Sequence, residues 1–286
     1  MIRARIAPTP SGYLHIGNAL NFVLTWLEVR KTGGKLRLRI DDIDAPRAKP
    51  EYVADVFETL EWLGIDWDEG PRSVAEQELL YSQLLRKARY EQLILLLIAS
   101  GKVYACECSR KDLDIKPCDC RAKKLPLDMP DTALRIQTSG TPIVIQDAKA
   151  GNIAVNLDAE MPNFVIKRRD GIVAYQIASL ADDIDYDINL IIRGMDLIHS
   201  TAAQLYLASI IGATDFEAVR FYHHPLLVDE QGNKLSKSAG STSIHAMRKL
   251  DPRPDKLYLQ ISKALNIKEP CRSASQLLAA YQLHSI

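Results

Sequence analysis

Two lysines three apart, Lys234 and Lys237, sit in a glycine-flanked loop, QGNKLSKSAG (231–240). Ammonium groups on flexible stems are mobile point charges suited to phosphate oxygens, and Gly232 and Gly240 give such a loop freedom to move. Far upstream, RIAPTPSGYLHIGN (5–18) places His15 and Gly17 where a short apolar run hands over to a long helical pattern. A helix N-terminus exposes unpaired N–H groups and partial positive charge, so it binds phosphate. His15 can donate a hydrogen bond to a phosphate oxygen, and Gly17 lets a nucleotide lie against the backbone. Each motif alone also fits something simpler, an N-capping loop with a surface histidine and a solvated basic turn. Four cysteines, Cys106, Cys108, Cys118 and Cys120, form C-x-C-x₉-C-x-C. Four thiolates so close suit one tetrahedral Zn²⁺ with no open position, a structural rather than catalytic site. Buried free thiols or an unoccupied relic site are the alternatives.

The chain has 286 residues, 47% apolar and 25% charged, in the range of soluble globular proteins. With 36 basic and 36 acidic residues it is not a strongly basic chain, so any nucleic-acid contact must come from a local patch. The longest apolar run, Leu93 to Ala99, is far short of a membrane span, and MIRARIAPTP has no signal-peptide core. A cytoplasmic, monomeric protein without a membrane partner is expected. The cysteine pattern is not that of a secreted disulfide framework.

The elements that must position these residues follow from periodicity. IRARIA (2–7) reads as a buried strand, 15–34 as a helix closed by Gly33 and Gly34, and KLRLRID (35–41) as an alternating strand. A turn-rich loop and an amphipathic helix ended by Gly64 follow, then one helix over roughly 75–100. This order predicts an α/β fold with a parallel sheet covered by helices. From Cys106 the pattern changes: residues 106–130 are polar and cysteine-rich, and 132–168 read as short antiparallel strands. A helix near 174–183, a strand over 188–194, a helix over 201–212 and a strand over 220–223 then resume the α/β order ahead of KLSKS. Trp62 and Trp67 read as packing residues. His223 and His224 end a strand, near a base or in the core. The run Asp182, Asp183, Asp185 and Asp187 reads as an exposed loop with one member orienting Arg193.

The order strand, His-Ile-Gly, helix and, after the last strand, Lys-Leu-Ser-Lys-Ser resembles the class I aminoacyl-tRNA synthetases, whose signatures are HIGH and KMSKS. Here they stand as HIGN (15–18) and KLSKS (234–238), with Asn18 departing at the fourth position. APTPSGYLHIG, LRIDDIDAPRAKPEY, KRRDGIVAYQIASLADDI, IIRGMDLIHSTAAQLYL and HHPLLVDEQGNKLSKS are similar to the glutamyl subfamily over almost the whole chain. The short tail after KLSKS, with DPRP (251–254), resembles its truncated branch, the glutamyl-queuosine tRNA(Asp) synthetases, which lack an anticodon-binding domain.

The resemblance implies a Rossmann-like catalytic domain split into 1–105 and 166–240, a zinc-binding insertion at 106–165 and a helical stub at 241–286. It implies ATP-dependent activation of glutamate as its adenylate and transfer to the queuosine base of tRNA(Asp). His15, Gly17, Asn18, Asp196, Lys234 and Lys237 would bind ATP with its Mg²⁺, with His15, Lys237 and Lys234 acting in catalysis. Arg5, Ala7, Thr9, Asp41, Tyr175 and Arg193 would bind glutamate, the arginines forking a carboxylate and Asp41 holding the α-ammonium. Thr9 and Asp41 stand where the family has serine and glutamate. The family's zinc site uses three cysteines and a tyrosine, and Cys118 replaces the tyrosine here. Three other readings remain: a paralogue with a non-tRNA acceptor, a nucleotidyltransferase, and a silent RNA-binding protein built on the same core.

Overall fold

The strand β1 (Arg3–Ile6) is the first of a six-stranded sheet. It pairs in parallel with β2 (Lys35–Leu38) on one side and with β8 (Leu190–Gly194) on the other. Beyond β8 lie β9 (Arg220–His224) and β5 (Ile143–Asp147), both parallel, and then β6 (Gly151–Val155), antiparallel to β5. The structure, a computed structural model, describes residues 1–226 and 243–283. Lys234 and Lys237 lie outside the described residues.

Consecutive residues of a strand face opposite sides, and the sheet separates two apolar cores accordingly. Leu190 and Ile192 of β8 join one core, with α1 (Ile16–Thr32) and α2 (Pro50–Leu63). Ile191 joins the other, with α3 (Lys87–Ala99), α4 (Tyr175–Asp185) and α5 (Ile198–Ile211). The C-terminal helices α6 (Ile244–Leu250), α7 (Asp255–Ala264) and α8 (Ala274–Leu283) pack into the first core. Leu257, Tyr258, Ile261 and Leu277 are fully buried in the first core, and the Tyr258 hydroxyl donates to the Leu63 carbonyl at 2.6 Å.

Two expectations change. The stretch 106–165 is shared between two sheets. β3 (Val103–Cys106), β4 (Ala133–Ile136) and β7 (Val165–Lys167) form a separate antiparallel sheet, whereas β5 and β6 extend the main one. The hairpin's alternation is legible in sequence; the sheet it joins is a long-range choice that alternation does not encode.

The helix expected over roughly 75–100 is broken at Ser82, whose backbone is extended (φ −57°, ψ 136°) between a π turn at Gln77–Tyr81 and a 3₁₀ turn at Gln83–Arg86. The break turns Gln77 and Gln83 inward, where they meet the carboxylates of Asp41, Asp42 and Asp182. Leu79, Leu80 and Leu85 are left outside. Satisfying buried acids outweighs burying those leucines, because an unpaired buried carboxylate is far costlier than an exposed methyl group.

Candidate active site

Strand order reverses between β1 and β8, since β1 leads to β2 on one side and β8 to β9 on the other. In open parallel sheets the crevice at such a point, outside the carboxyl ends of the strands, is where ligands bind. His15 follows β1 and Arg193 lies at the carboxyl end of β8, so the chain brings both to this crevice.

His15 is the N-cap of α1. Its Nδ1 accepts from the Gly17 N–H at 3.1 Å, and the Asn18 side chain accepts from the His15 N–H at 3.0 Å, a reciprocal capping box. With Nδ1 an acceptor, the neutral ring carries its hydrogen on Nε2, a donor of the kind a phosphate oxygen takes. Asn18 thus fixes the backbone of the histidine in front of it. Gly17 has a reason beyond nucleotide access: a Cβ there would lie 3.0 Å from His15 Cε1 and press on the capping imidazole.

Behind this helix end lies a buried lattice of arginines and carboxylates. Arg39 binds Asp41 through two nitrogens, at 2.6 and 3.1 Å, and reaches Asp183 at 2.7 Å and Ser179 at 3.1 Å. Arg5 Nε donates to the same Asp183 oxygen at 3.0 Å. Burial works against ionisation of Asp183, but the Arg5, Arg39 and Arg193 charges prevail and hold its carboxyl below the usual range. Burial, with Asp182 and Asp183 close by, pushes the Asp41 carboxyl up to about 6 against the pull of Arg39. Asp41 was expected to hold an ammonium; both its oxygens are turned to Arg39 instead. Within this lattice Oδ2 of Asp183 is buried without a hydrogen-bond partner.

Arg193 was expected to lean on an acid of the 182–187 run. It donates instead from Nη1 to Gln204 at 2.8 Å and Thr201 at 3.4 Å. Its Nε and Nη2 are buried without partners, on a residue only 2% exposed. Burial, with Arg5 and Arg39 nearby, pulls its guanidinium below its usual value. A buried cation with two unused donors is costly on its own and complements a carboxylate. Tyr175, half-buried at the start of α4, acts electrostatically on the same guanidinium. Ala7 is half-buried and Thr9 exposed in the loop between β1 and His15.

The acidic run is not an exposed loop. Asp182 and Asp183 are buried on α4, on the helix face of Tyr175 and Ser179. Asp196 follows β8 in the turn Met195–Leu197, where a Cβ on Gly194 would lie 2.5 Å from its carboxylate. His223 and His224 are both buried, and burial lowers both below the usual imidazole value. Sequence reasoning missed Arg39, Gln83 and Ser179. The spacing Tyr175, Ser179, Asp182, Asp183 (i, i+4, i+7, i+8) was a readable polar helix face.

The four expected cysteines come together at the end of β3. Their sulfurs lie within 4.8 Å of one another, with Cys106–Cys118 at 3.6 Å, Cys108–Cys118 at 3.8 Å and Cys108–Cys120 at 3.5 Å. Metal–sulfur bonds of about 2.3 Å in a tetrahedron put sulfurs about 3.8 Å apart, so this set fits a four-coordinate ion. Tyr104 packs against the cluster, but the candidate ligands are four sulfurs. In a second group, Asp55, Glu58 and His245, both acids are already paired with Arg248.

The histidine-capped helix at the switch point and the buried arginine–carboxylate lattice belong to a ligase core of the class I aminoacyl-tRNA synthetase type. The chain belongs to the family described as tRNA synthetases class I (E and Q), catalytic domain, which matches residues 1–127 and 128–264. It is 35% identical over 269 residues to the glutamyl-Q tRNA(Asp) synthetase of Nitratidesulfovibrio vulgaris, covering 87% of this chain and 81% of that protein. It is 36% identical over 272 residues to the protein of the same name from Pseudomonas aeruginosa, covering 90% and 88%. Among solved structures, a glutamate–tRNA synthetase from Elizabethkingia anophelis superposes with a TM-score of 0.69 at 25% identity over 84% of this chain. The chain spans about half of that structure, 53% of its length. No described helix is long and apolar enough to cross a membrane.

Proposed function

We propose that the chain activates glutamate with MgATP as glutamyl adenylate and transfers the glutamyl group to the queuosine base of tRNA(Asp) in the cytoplasm. The observation that carries the acidic-substrate reading is Arg193, a buried guanidinium with two donors unused. The acceptor reading is supported by the relatives named glutamyl-Q tRNA(Asp) synthetase, which match over 81% and 88% of their length.

In the first step the α-carboxylate of glutamate attacks the α-phosphorus of ATP and pyrophosphate leaves. Little covalent chemistry is asked of the protein, which aligns the attacker and neutralises phosphate charge. His15 Nε2–H and the N-terminus of α1 hold the triphosphate. Lys237, assisted by Lys234, stabilises the departing pyrophosphate, and Asp196 contacts the nucleotide. Arg193 and Arg5 hold the acid, with Tyr175, Ala7 and Thr9 lining the pocket. The α-ammonium is taken by Asp183 Oδ2, with Asp41 alongside. Cys106, Cys108, Cys118 and Cys120 would hold one zinc ion, which with four protein ligands would be structural.

Aminoacylation of queuosine-containing and queuosine-free tRNA(Asp) with labelled glutamate tests the acceptor. Label on the modified tRNA alone is expected. Label on neither, with adenylate still formed, would move the acceptor to another molecule.

A further inference from the structure

A continuous hydrogen-bonded chain runs from the hairpin strand β5 to Arg193, and no step described above uses it. Asp147, the last residue of β5, accepts at Oδ2 from the His223 backbone N–H at 2.7 Å and from His223 Nδ1 at 2.8 Å. His223 Nε2 lies 2.7 Å from the Thr201 hydroxyl, and that hydroxyl accepts from Arg193 Nη1. Both side chains of the Asp147–His223 pair are 0% exposed, and Thr201 is fully buried.

The polarity of the chain can be assigned. Burial opposes ionisation of Asp147, but the backbone N–H groups of Ala150 and Lys149, with His223, bring its carboxyl below the usual range. Burial keeps His223 neutral, and the charged or titratable groups acting on it are Arg193, Asp147 and His224. An ionised Asp147 takes the Nδ1 hydrogen, so Nε2 is a bare acceptor. The Thr201 hydrogen then goes to His223 rather than to the Leu197 carbonyl 3.2 Å away, and the threonine oxygen presents its lone pairs to Arg193. Every donor points from Arg193 towards Asp147. Gln204 receives the same Nη1, so the guanidinium is gripped at one nitrogen and its Nε–Nη2 edge is left for a ligand.

We infer that Asp147 and His223, acting through Thr201, are positioning residues that aim the Nε–Nη2 edge of Arg193 at the carboxylate of the amino-acid substrate. This rests on the reading of Arg193 as the carboxylate site. It also gives the β5–β6 hairpin a part in the active site, because the hairpin's place beside β9 delivers Asp147. A purely structural network would not distinguish one substrate from the other.

The test is steady-state ATP–pyrophosphate exchange, with the KM of glutamate and of ATP measured separately. Thr201→Val keeps the volume and removes the hydroxyl. It is expected to raise the glutamate KM about tenfold, the scale of one hydrogen bond to a charged group, with kcat and the ATP KM within about twofold. His223→Ala is expected to do the same or more, and His223→Gln, whose amide oxygen can reach the Nε2 position, to recover most of the loss. Glutamate KM values within about twofold of the parent in Thr201→Val and His223→Ala, or glutamate and ATP KM values rising in step, would overturn the inference. Arg193→Ala tests the underlying reading separately: an unchanged glutamate KM there removes the carboxylate site itself, whatever Thr201 and His223 do.

Discussion

The Ile244 N–H donates to the Leu14 carbonyl at 2.9 Å, so the first residue of α6 is bonded to the residue before His15. Asp55 strengthens the junction, accepting from the Leu14 N–H at 3.2 Å and pairing with Arg248 of α6 at 3.0 Å. Tyr13 stacks on His245 with ring centroids 4.1 Å apart. The described chain resumes at Ser243, ahead of a helix tied to the loop that presents His15.

That junction should matter to the nucleotide more than to the amino acid. Asp55→Ala leaves the Leu14 N–H without its acceptor and takes one of its two acidic partners from Arg248, which keeps Glu58 and Thr59; a stability loss of about 1–3 kcal/mol is expected from denaturant titration. In exchange kinetics the ATP KM should rise and the glutamate KM should stay near that of the parent. A selective rise in the glutamate KM would contradict this view of α6.

Gly17→Ala addresses the imidazole directly. The new methyl would press on the His15 ring, and alanine is a good helix residue, so stability should change by less than about 1 kcal/mol. Exchange activity should nonetheless fall about tenfold or more, as displaced catalytic groups do. Full activity with an intact fold would show that the ring position is not critical.

Asp41 predicts a pH effect with a defined sign. Its carboxyl is raised from 3.8 to about 6 in the folded protein. Folding therefore favours its protonated form, and that contribution is complete below about pH 4 and is lost as pH rises through about 6. Asp41→Asn removes this loss. The stability of the variant relative to the parent should increase by on the order of 2–3 kcal/mol between pH 4 and 7. Carboxylates held below their usual range away from this lattice, such as Asp66, act in the opposite sense at lower pH and cancel in the difference. A relative stability independent of pH would place the Asp41 ionisation elsewhere.

The cysteine cluster should carry one zinc per chain by elemental analysis. Cys118→Ser, or a strong chelator, should remove it and lower the thermal midpoint, because metal-binding free energy becomes folding free energy. Full-length protein with no metal and an unchanged midpoint on chelation would leave the cluster as buried thiols.

Much of this was legible in the sequence because it is local. The strand-to-helix turn at His15, the cysteine spacing and the parallel order of strands are all short-range patterns. What escaped is long-range. Arg39 sits just past an alternating strand, where alternation predicts a solvent-facing arginine, yet it is buried against Asp183, far away in the chain. The helix expected near 75–100 has helical propensity throughout, but its glutamines are drawn to Asp41, Asp42 and Asp182. Single-residue patterns cannot show a tertiary demand for hydrogen bonds that overrides propensity. The departures at Asn18 and Asp41 were visible as letters, but their consequences, a capping box and an arginine clamp, needed coordinates.

The most direct test of the central claim is ATP–pyrophosphate exchange measured with each amino acid in turn, with and without tRNA. The account predicts exchange with glutamate, lost in Arg193→Ala and in Lys237→Ala. Exchange driven by another amino acid, or by none, would contradict it.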